Sequence, residues 1–160
     1  MRDVVSNTSP LLYLHQLGRL DLIRALYSRV LVPQSVVAEL DVGRARGYDV
    51  PAVAEASWIE VVSSPTLSLL ALATDLGKGE SEAIAIAHER NGLLILDDAL
   101  ARRHAELLGV TCTGTLGVLL RAKAAGHVAR VTPVLDQLLE LGFRLSGPTR
   151  DAVIKLAREE

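Results

Sequence analysis

Residues 93–109 read LLILDDALARRHAELLG, and this stretch decides the fold. Four aliphatic residues end at two carboxylates, Asp97 and Asp98, and a helical pattern that closes at Gly109 follows directly. A short, continuous apolar run is typical of a strand that is buried on both faces, as in a parallel sheet covered by helices. The stretch therefore predicts an α/β protein with polar groups at the end of a strand.

Similar strand-like runs recur along the chain, with helical patterns between them. They are VVSN, RVLVP, WIEVV and VTCT, at residues 4–7, 29–33, 58–62 and 110–113. This alternation predicts a mostly parallel sheet with helices on its faces. Helix starts are predicted at polar caps and prolines, as in Ser9-Pro10, Val32-Pro33 and Thr132-Pro133. We expect an exposed loop over residues 41–51. Residues 63–79 are expected to contain a leucine-rich helix and then a turn at Gly77-Lys78-Gly79.

Length, charge and cysteine content narrow the class of protein. With 160 residues, 49% of them hydrophobic, the chain suits one domain over residues 1–160, with C-terminal helices at about 132–160 packed on it. The net charge of -2 excludes a global basic field, so any contact with nucleic acid needs a local patch. The lone Cys112 excludes an internal disulfide. Neither a leader nor a membrane span is recognised, which predicts a cytoplasmic protein that makes no membrane contact.

Polar residues are concentrated where the predicted strands end and the next helices begin. These residues are Asn7, Glu39, Glu80, Asp97 and Asp98. In doubly wound sheets functional groups gather at the carboxyl ends of the strands. Converging carboxylates repel one another unless a cation is present, and Mg²⁺ or Mn²⁺ is a hard ion that takes oxygen ligands. The pattern therefore indicates metal-assisted phosphodiester hydrolysis.

Each acid also has a simpler interpretation. Asp98 could be only a helix cap, and Asp97 could point away from its neighbour because successive strand residues face opposite sides. Glu80 could simply favour the positive end of its helix, and Glu82 is expected on a solvated face. Glu39 lies on an apolar stretch, which predicts that its carboxylate is buried or borders the core.

Two arginines one turn after the acidic pair are candidates for substrate binding. Arg102 and Arg103 could meet a phosphate backbone, or they could be solvated or paired with Glu106. Aromatic residues make up only 3% of the chain, so recognition of bases by stacking is not expected. Binding would then depend on shape and on phosphate contacts.

Four stretches, in this order and spacing, resemble the motifs of the PIN domain, the metal-dependent ribonuclease fold of VapC-type toxins. They are SNTSPLLYL, VLVPQSVVAEL, GKGESEAIAIA and LLILDDALAR, at residues 6–14, 30–40, 77–87 and 93–102. VTCTGTLGVLLRAKAAG and LLELGFRLS, at residues 110–126 and 138–146, resemble one branch of PIN-like proteins. The resemblance implies a three-layer α/β/α fold with a central, mainly parallel sheet.

The resemblance also implies roles for individual residues. The acidic metal ligands of the family match Glu39, Glu80 and Asp98, with Asp97 as a substitute or a supporting partner. The interval to Asp98 favours Glu80 over Glu82, which remains a supporting residue. The first aspartate of the family is replaced here by Asn7, and Ser9 matches the small hydroxyl residue that supports it. Thr115, which we expect to cap its own helix, is a further supporting residue.

The sequence thus predicts a Mg²⁺- or Mn²⁺-dependent endoribonuclease that acts on RNA, expected to be single-stranded. The resemblance implies the toxin of a toxin-antitoxin pair or a relative, with a small antitoxin as partner and a homodimeric state. A second hypothesis is a PIN-like module that binds RNA or protein with weakened or lost catalysis, because Asn7 carries no negative charge. A third is a plain α/β interaction domain in which the acids only cap helices.

Overall fold

The computed structural model describes residues 2–64 and 75–160. Five strands form one sheet, β1 (Val4–Ser6), β2 (Val30–Pro33), β3 (Ile59–Val62), β4 (Leu93–Ile95) and β5 (Thr111–Thr113). The order across the sheet is β3-β2-β1-β4-β5, and every neighbouring pair is parallel. All five carboxyl ends therefore lie along one edge of the sheet.

Helices alternate with these strands along the chain. They are α1 (Thr8–Gln16), α2 (Asp21–Tyr27), α3 (Gln34–Ala45), α4 (Lys78–Arg90), α5 (Ala99–Leu107), α6 (Thr115–Ala124), α7 (Thr132–Glu140) and α8 (Gly147–Leu156). A short 3₁₀ turn, Val53–Glu55, precedes β3. Of the helices within the described residues, none is long and apolar enough to span a membrane.

Side chains of the central strands alternate between two buried clusters. Val4, Val30 and Ile95 belong to the larger cluster, which also holds buried residues of α1, α2, α3, α6, α7 and α8. Val5 and Leu94 face the opposite way, into a smaller cluster with α4 and α5. Because both faces of the sheet are covered at its centre, β1, β2 and β4 are fully buried, whereas the edge strands β3 and β5 are partly exposed and carry polar residues. The predicted three-layer α/β/α fold with a parallel sheet is confirmed.

Several predicted element boundaries are wrong. Helix α3 continues to Ala45, so the predicted loop over 41–51 begins only after it, and Gly43 is tolerated inside the helix. Helix α1 begins at Thr8 with Asn7 in the N-cap position, two residues before the predicted Ser9 cap. Most of the leucine-rich helix expected within 63–79 lies outside the described residues. Helix α4 begins at Lys78, within the Gly77-Lys78-Gly79 stretch that the sequence suggested as a turn.

Candidate active site

The chain reverses direction across the sheet at β1 and β4. It runs outward from β1 through β2 to β3, and then returns to the other side of β1 to form β4 and β5. A crevice forms at such a switch point, outside the carboxyl ends of the two central strands. Asn7 directly follows β1, and Asp97 and Asp98 follow β4 after one further residue. The topology therefore brings the polar residues that were predicted from the sequence to this edge of the sheet.

Asn7 is held rigidly by its backbone, but its side-chain oxygen is unsatisfied. Its backbone N–H donates to the Ile95 carbonyl at 3.1 Å, and its side chain makes no capping hydrogen bond to α1. The residue is only 5% exposed, and Asn7 Oδ1 has no hydrogen-bond partner among the described residues. A buried polar atom without a partner costs free energy, so this oxygen is suited to a ligand.

Glu39 connects the first turns of two helices. The Thr8 hydroxyl donates to Glu39 Oε2 at 2.6 Å, and the Gly79 N–H donates to Glu39 Oε1 at 3.2 Å. The side chain is exposed, so of the two positions predicted for Glu39, buried or bordering the core, the structure excludes the buried one. Instead of the core, the carboxylate faces the positive ends of α1 and α4, which stabilise its charge.

Two residues that support Glu39 were missed in the sequence. Thr8 was passed over between Asn7 and Ser9, although a hydroxyl in the first turn of a helix is a common carboxylate donor. A Cβ added to Gly79 would collide with Glu39 Oε1, so a larger residue there would displace the carboxylate from its contact with the start of α4. The glycine beside Glu80 in the motif GKGE was the available signal.

Glu39, Glu80 and Asp98 form what we call the acidic group, and Glu80 is its electrostatic centre. Burial raises the pKa of Glu80, and the negative charges of Asp98 and Glu39 raise it further, while the Gly77 N–H partly opposes them. Glu80 Oε2 is buried and has no hydrogen-bond partner in the described part of the chain. Glu39 and Asp98 are therefore both close enough to Glu80 to repel its negative charge.

The two neighbouring aspartates serve different helices. Asp98 is exposed and caps α5, because its Oδ2 accepts the Ala101 N–H at 2.9 Å. Asp97 accepts both the N–H and the hydroxyl of Thr115, at 2.8 and 2.7 Å, and so caps α6. Thr115 is thus the capped residue, and the prediction that it caps its own helix is wrong. With one Thr115 donor on each oxygen, Asp97 already has a structural role.

Burial raises the pKa of Asp97, whereas the two Thr115 hydrogen bonds and the positive charge of Arg102 lower it by less. Arg102 is partly buried and lies near this carboxylate. Arg103 is exposed on the surface of α5. The two arginines that were predicted to bind substrate therefore have different surroundings, and only Arg102 lies beside the acidic pair.

Glu82 and Ser9 complete the set of predicted site residues. Glu82 is only 3% exposed, so its predicted place on a solvated face is wrong. Its Oε1 accepts the N–H and the hydroxyl of Ser35, at 2.9 and 2.7 Å, and caps α3 from a neighbouring helix. Ser35 had not been recognised as its partner. Ser9 is partly buried in the first turn of α1.

The donor set partly fits a divalent metal ion. Carboxylate and amide oxygens are the ligands of Mg²⁺ and Mn²⁺. Two such oxygens, Asn7 Oδ1 and Glu80 Oε2, are buried without a partner in the part of the chain that the structure describes. A cation would also relieve the repulsion that raises the pKa of Glu80. Within residues 2–64 and 75–160, however, no three His, Cys, Asp or Glu side chains already form a metal-binding group.

Comparison with known proteins gives the family. A family model described as a PIN domain matches residues 3–159, almost the whole chain. The chain belongs to the PIN domain family. PIN domains are generally nucleases that use divalent metal ions, which agrees with the acidic edge of the sheet.

One solved structure supports the PIN fold. It is a PilT N-terminus domain protein from the hyperthermophilic archaeon Sulfolobus solfataricus P2, with 20% sequence identity and a TM-score of 0.52. The match covers 74% of this chain and 92% of the archaeal chain. At this identity the likeness supports the fold alone. No curated protein gives a significant match.

Proposed function

We propose that this PIN domain is an endoribonuclease that cleaves single-stranded RNA and depends on Mg²⁺ or Mn²⁺. The observation that carries the proposal is that two buried oxygens, Asn7 Oδ1 and Glu80 Oε2, have no hydrogen-bond partner among the described residues, while Asp98 and Glu39 repel the charge of Glu80. Such an arrangement is unfavourable for stability and becomes favourable when a cation binds. When bound, the metal supplies positive charge at the scissile phosphate and lowers the pKa of a water molecule.

The chain's own residues would hold and orient that ion. Glu39, Glu80 and Asp98 supply the carboxylates, and Asn7 supplies a neutral amide oxygen. The Thr8 hydroxyl and the Gly79 N–H fix both oxygens of Glu39, as supporting groups do for ligands in metal sites. Asp97 would act through α6, whose first turn it holds, and Arg102 and Arg103 would contact the phosphates of the substrate.

The test is cleavage of a labelled single-stranded RNA with and without Mn²⁺. Asp98→Asn is the sharpest variant, because asparagine keeps the cap on α5 and removes only the charge. We expect a loss of about 100-fold in rate, or about 2.7 kcal/mol in the barrier. Asp151→Asn, on the exposed face of α8, removes the same charge outside the site and should leave the rate unchanged. Cleavage that persists in Asp98→Asn at the wild-type rate would refute the assignment.

The second candidate function is a PIN-like module that binds RNA or protein without cutting, and Asn7 favours it. An amide oxygen contributes no charge, so the site should bind its ion more weakly than an all-carboxylate site. Asn7→Asp separates the two functions. A silent wild type with an active Asn7→Asp variant identifies a weakened nuclease. Silence of both, with no Mn²⁺-induced rise in Tm but with labelled RNA still bound in a gel-shift assay, identifies the RNA-binding module.

We further propose, from the family resemblance, that the chain is the toxin of a toxin-antitoxin pair or a relative, and that it acts in the cytoplasm as a homodimer. A small antitoxin would be the protein partner. Light scattering at several concentrations tests the dimer, and growth arrest on expression, relieved by a co-expressed neighbouring gene product, tests the toxin. Arrest that Asp98→Asn abolishes would connect the toxin role to the same site.

A further inference from the structure

A cavity of about 290 Å³ opens beside the acidic group, at the carboxyl end of β5. Its walls come from three parts of the chain: the start of α5, the turn between β5 and α6, and the connection between α7 and α8. The residues that line it include Asp97, Arg102, Cys112, Gly114, Phe143 and Arg144. Asp97 lines this cavity, and the next residue, Asp98, interacts with Glu80. The cavity and the proposed catalytic group are therefore adjacent.

The cavity has an excess of positive charge. Arg102 and Arg144 both line it, and neither forms an ion pair within the described residues, whereas Arg29, Arg44 and Arg150 all pair with carboxylates. Asp97 is the only acid among the lining residues, and Thr115 donates to both of its oxygens. Two guanidinium groups thus face the space with one carboxylate that is already hydrogen-bonded.

Gly114 keeps this space open. A Cβ at that position would lie 2.7 Å from Asp97 Oδ1 and 3.3 Å from Arg102 Nη1. The opposite wall is Phe143, whose ring meets Tyr13 edge to face with centroids 5.0 Å apart. That contact holds the connection between α7 and α8 in place at Phe143. Arg144 is the next residue, so its backbone is held there as well. An apolar wall beside two arginines suits a nucleotide, with a phosphate at one end and a sugar or base at the other.

A nuclease with this distribution of charge needs a separate, positively charged site that attracts RNA. The acidic group repels the phosphates of RNA, and the net charge of -2 supplies no general attraction. We propose, on the basis of the proposed nuclease function, that the cavity is a subsite that binds the RNA phosphate that neighbours the scissile phosphate. Arg102 and Arg144 are the two cations that bind it. Arginine suits this role because its planar donors bind phosphate oxygens in pairs.

The experiment measures RNA affinity without cleavage. Fluorescence anisotropy with a labelled single-stranded RNA in EDTA gives the Kd of the wild type, Arg102→Gln and Arg144→Gln at several salt concentrations. We expect each variant to bind about 5- to 10-fold more weakly and to lower the slope of log K against log salt by about 0.7, the value for one phosphate contact on a single strand. The control is Arg121→Gln, an exposed arginine that lines a cavity at the opposite edge of the sheet.

A second measurement uses Cys112, the only cysteine of the chain, which lines the same cavity. Bound RNA should slow alkylation of Cys112 several-fold in the wild type and in Arg121→Gln, and should do so less in the two cavity variants. Free Arg144→Gln and Arg121→Gln should react like the wild type, which shows that these substitutions leave the cavity folded. Free Arg102→Gln should react more slowly, because burial raises the pKa of the Cys112 thiol and the charge of Arg102 partly lowers it again. Protection is therefore measured in each variant as the ratio of rates without and with RNA.

The outcomes separate this inference from the proposed nuclease activity. Equal affinities and salt slopes for Arg144→Gln and the wild type, or alkylation unaffected by RNA, would overturn the subsite even if the wild type cleaves RNA. Arginine-dependent binding that protects Cys112 in a protein that never cleaves RNA would support the subsite and refute the nuclease.

Discussion

At the scale of single residues, Glu80 shows how a site for charged ligands reduces stability. Its pKa is raised by burial first and then by Asp98 and Glu39. The folded state therefore holds the Glu80 proton more tightly than the unfolded chain, where the carboxyl titrates near 4.5. Stability is lost as the pH rises from that value through the raised folded pKa, and the loss is complete once the pH is above the folded pKa.

Glu80→Gln should remove this cost. We expect the variant to melt at a higher temperature than the wild type at pH 7, and at the same temperature at about pH 3.5, where both side chains are neutral. The gain should stay below about 1 kcal/mol, a few degrees in Tm, because partial exposure screens the repulsion. The measurement is thermal unfolding by circular dichroism over this pH range, without divalent metal.

Glu140→Gln, an exposed substitution on α7, is the matched control and should not change the melting temperature. Mn²⁺ should raise the Tm of the wild type more than that of Glu80→Gln, since an ion stabilises only the state that binds it. A variant that is less stable than the wild type at pH 7 would contradict the electrostatic account of Glu80.

Individual side chains were the hardest features to predict from the sequence. The positions of Asn7, Glu80 and Asp98 follow from strand ends and helix starts, which local patterns reveal. The burial of Glu82 depends on Ser35, which lies 47 residues earlier, and no local pattern contains that contact. The exposure of Glu39 likewise depends on how α1 and α4 approach α3. Long-range packing decides these features, and a single sequence does not reveal it.

At the scale of elements, the start of α6 depends on a residue from the end of β4. Asp97 accepts two hydrogen bonds from Thr115, which is fully buried. Thr115→Val keeps the side-chain shape and the backbone bond but removes the hydroxyl donor. We expect it to lower the free energy of unfolding by about 1–2 kcal/mol, because the bond involves a charged group.

A double-mutant cycle measures this coupling directly. Asp97→Asn, Thr115→Val and the double variant should give a coupling free energy of about 1 kcal/mol in urea unfolding. The same cycle with Asp98→Asn in place of Asp97→Asn is the matched comparison and should give additive effects, since Asp98 caps α5 instead. A coupling to Asp98 as large as that to Asp97 would contradict this division between the two aspartates.

Element types were predicted better than element ends. The runs that form all five strands were recognised. The buried central strands β1, β2 and β4 have a mostly continuous apolar pattern, and the partly exposed edge strands β3 and β5 are rich in β-branched residues. The end of α3 was not, since Gly43, Arg44 and Gly47 suggested a loop. Arg44 in fact donates to Asp41 one turn earlier and to the Pro51 carbonyl, which stabilises the last turn of the helix. The α6 cap was missed because its acceptor is 18 residues away.

At the scale of the whole molecule, the carboxylate of Glu159 connects the C-terminal segment to two helices through hydrogen bonds. Glu159 accepts hydrogen bonds from the backbone N–H of Val131 and Thr132, at 2.7 and 2.9 Å, at the start of α7. Lys123 of α6 donates to the same carboxylate at 2.7 Å. The side chain is only 4% exposed, so these donors replace its water. Glu159 thus connects α8, α7 and α6 on one side of the sheet.

This connection should make stability depend on pH. Burial alone would raise the pKa of Glu159, but the hydrogen bonds from Lys123, Val131 and Thr132 outweigh it and hold the pKa well below its ordinary value of 4.5. A lowered folded pKa contributes stability above the unfolded value, and that contribution is lost as the pH falls below about 4.5.

Glu159→Gln should therefore lower the free energy of unfolding by about 2–4 kcal/mol at pH 7, and its difference from the wild type should shrink steadily below pH 4.5. Urea unfolding at pH 7 and pH 3 measures both values, and Glu160→Gln, exposed at the next position, should match the wild type at each pH. A Glu159→Gln variant as stable as the wild type at pH 7, or a deficit that stays constant down to pH 3, would show that Glu159 does not fasten the C-terminal helices through its charge.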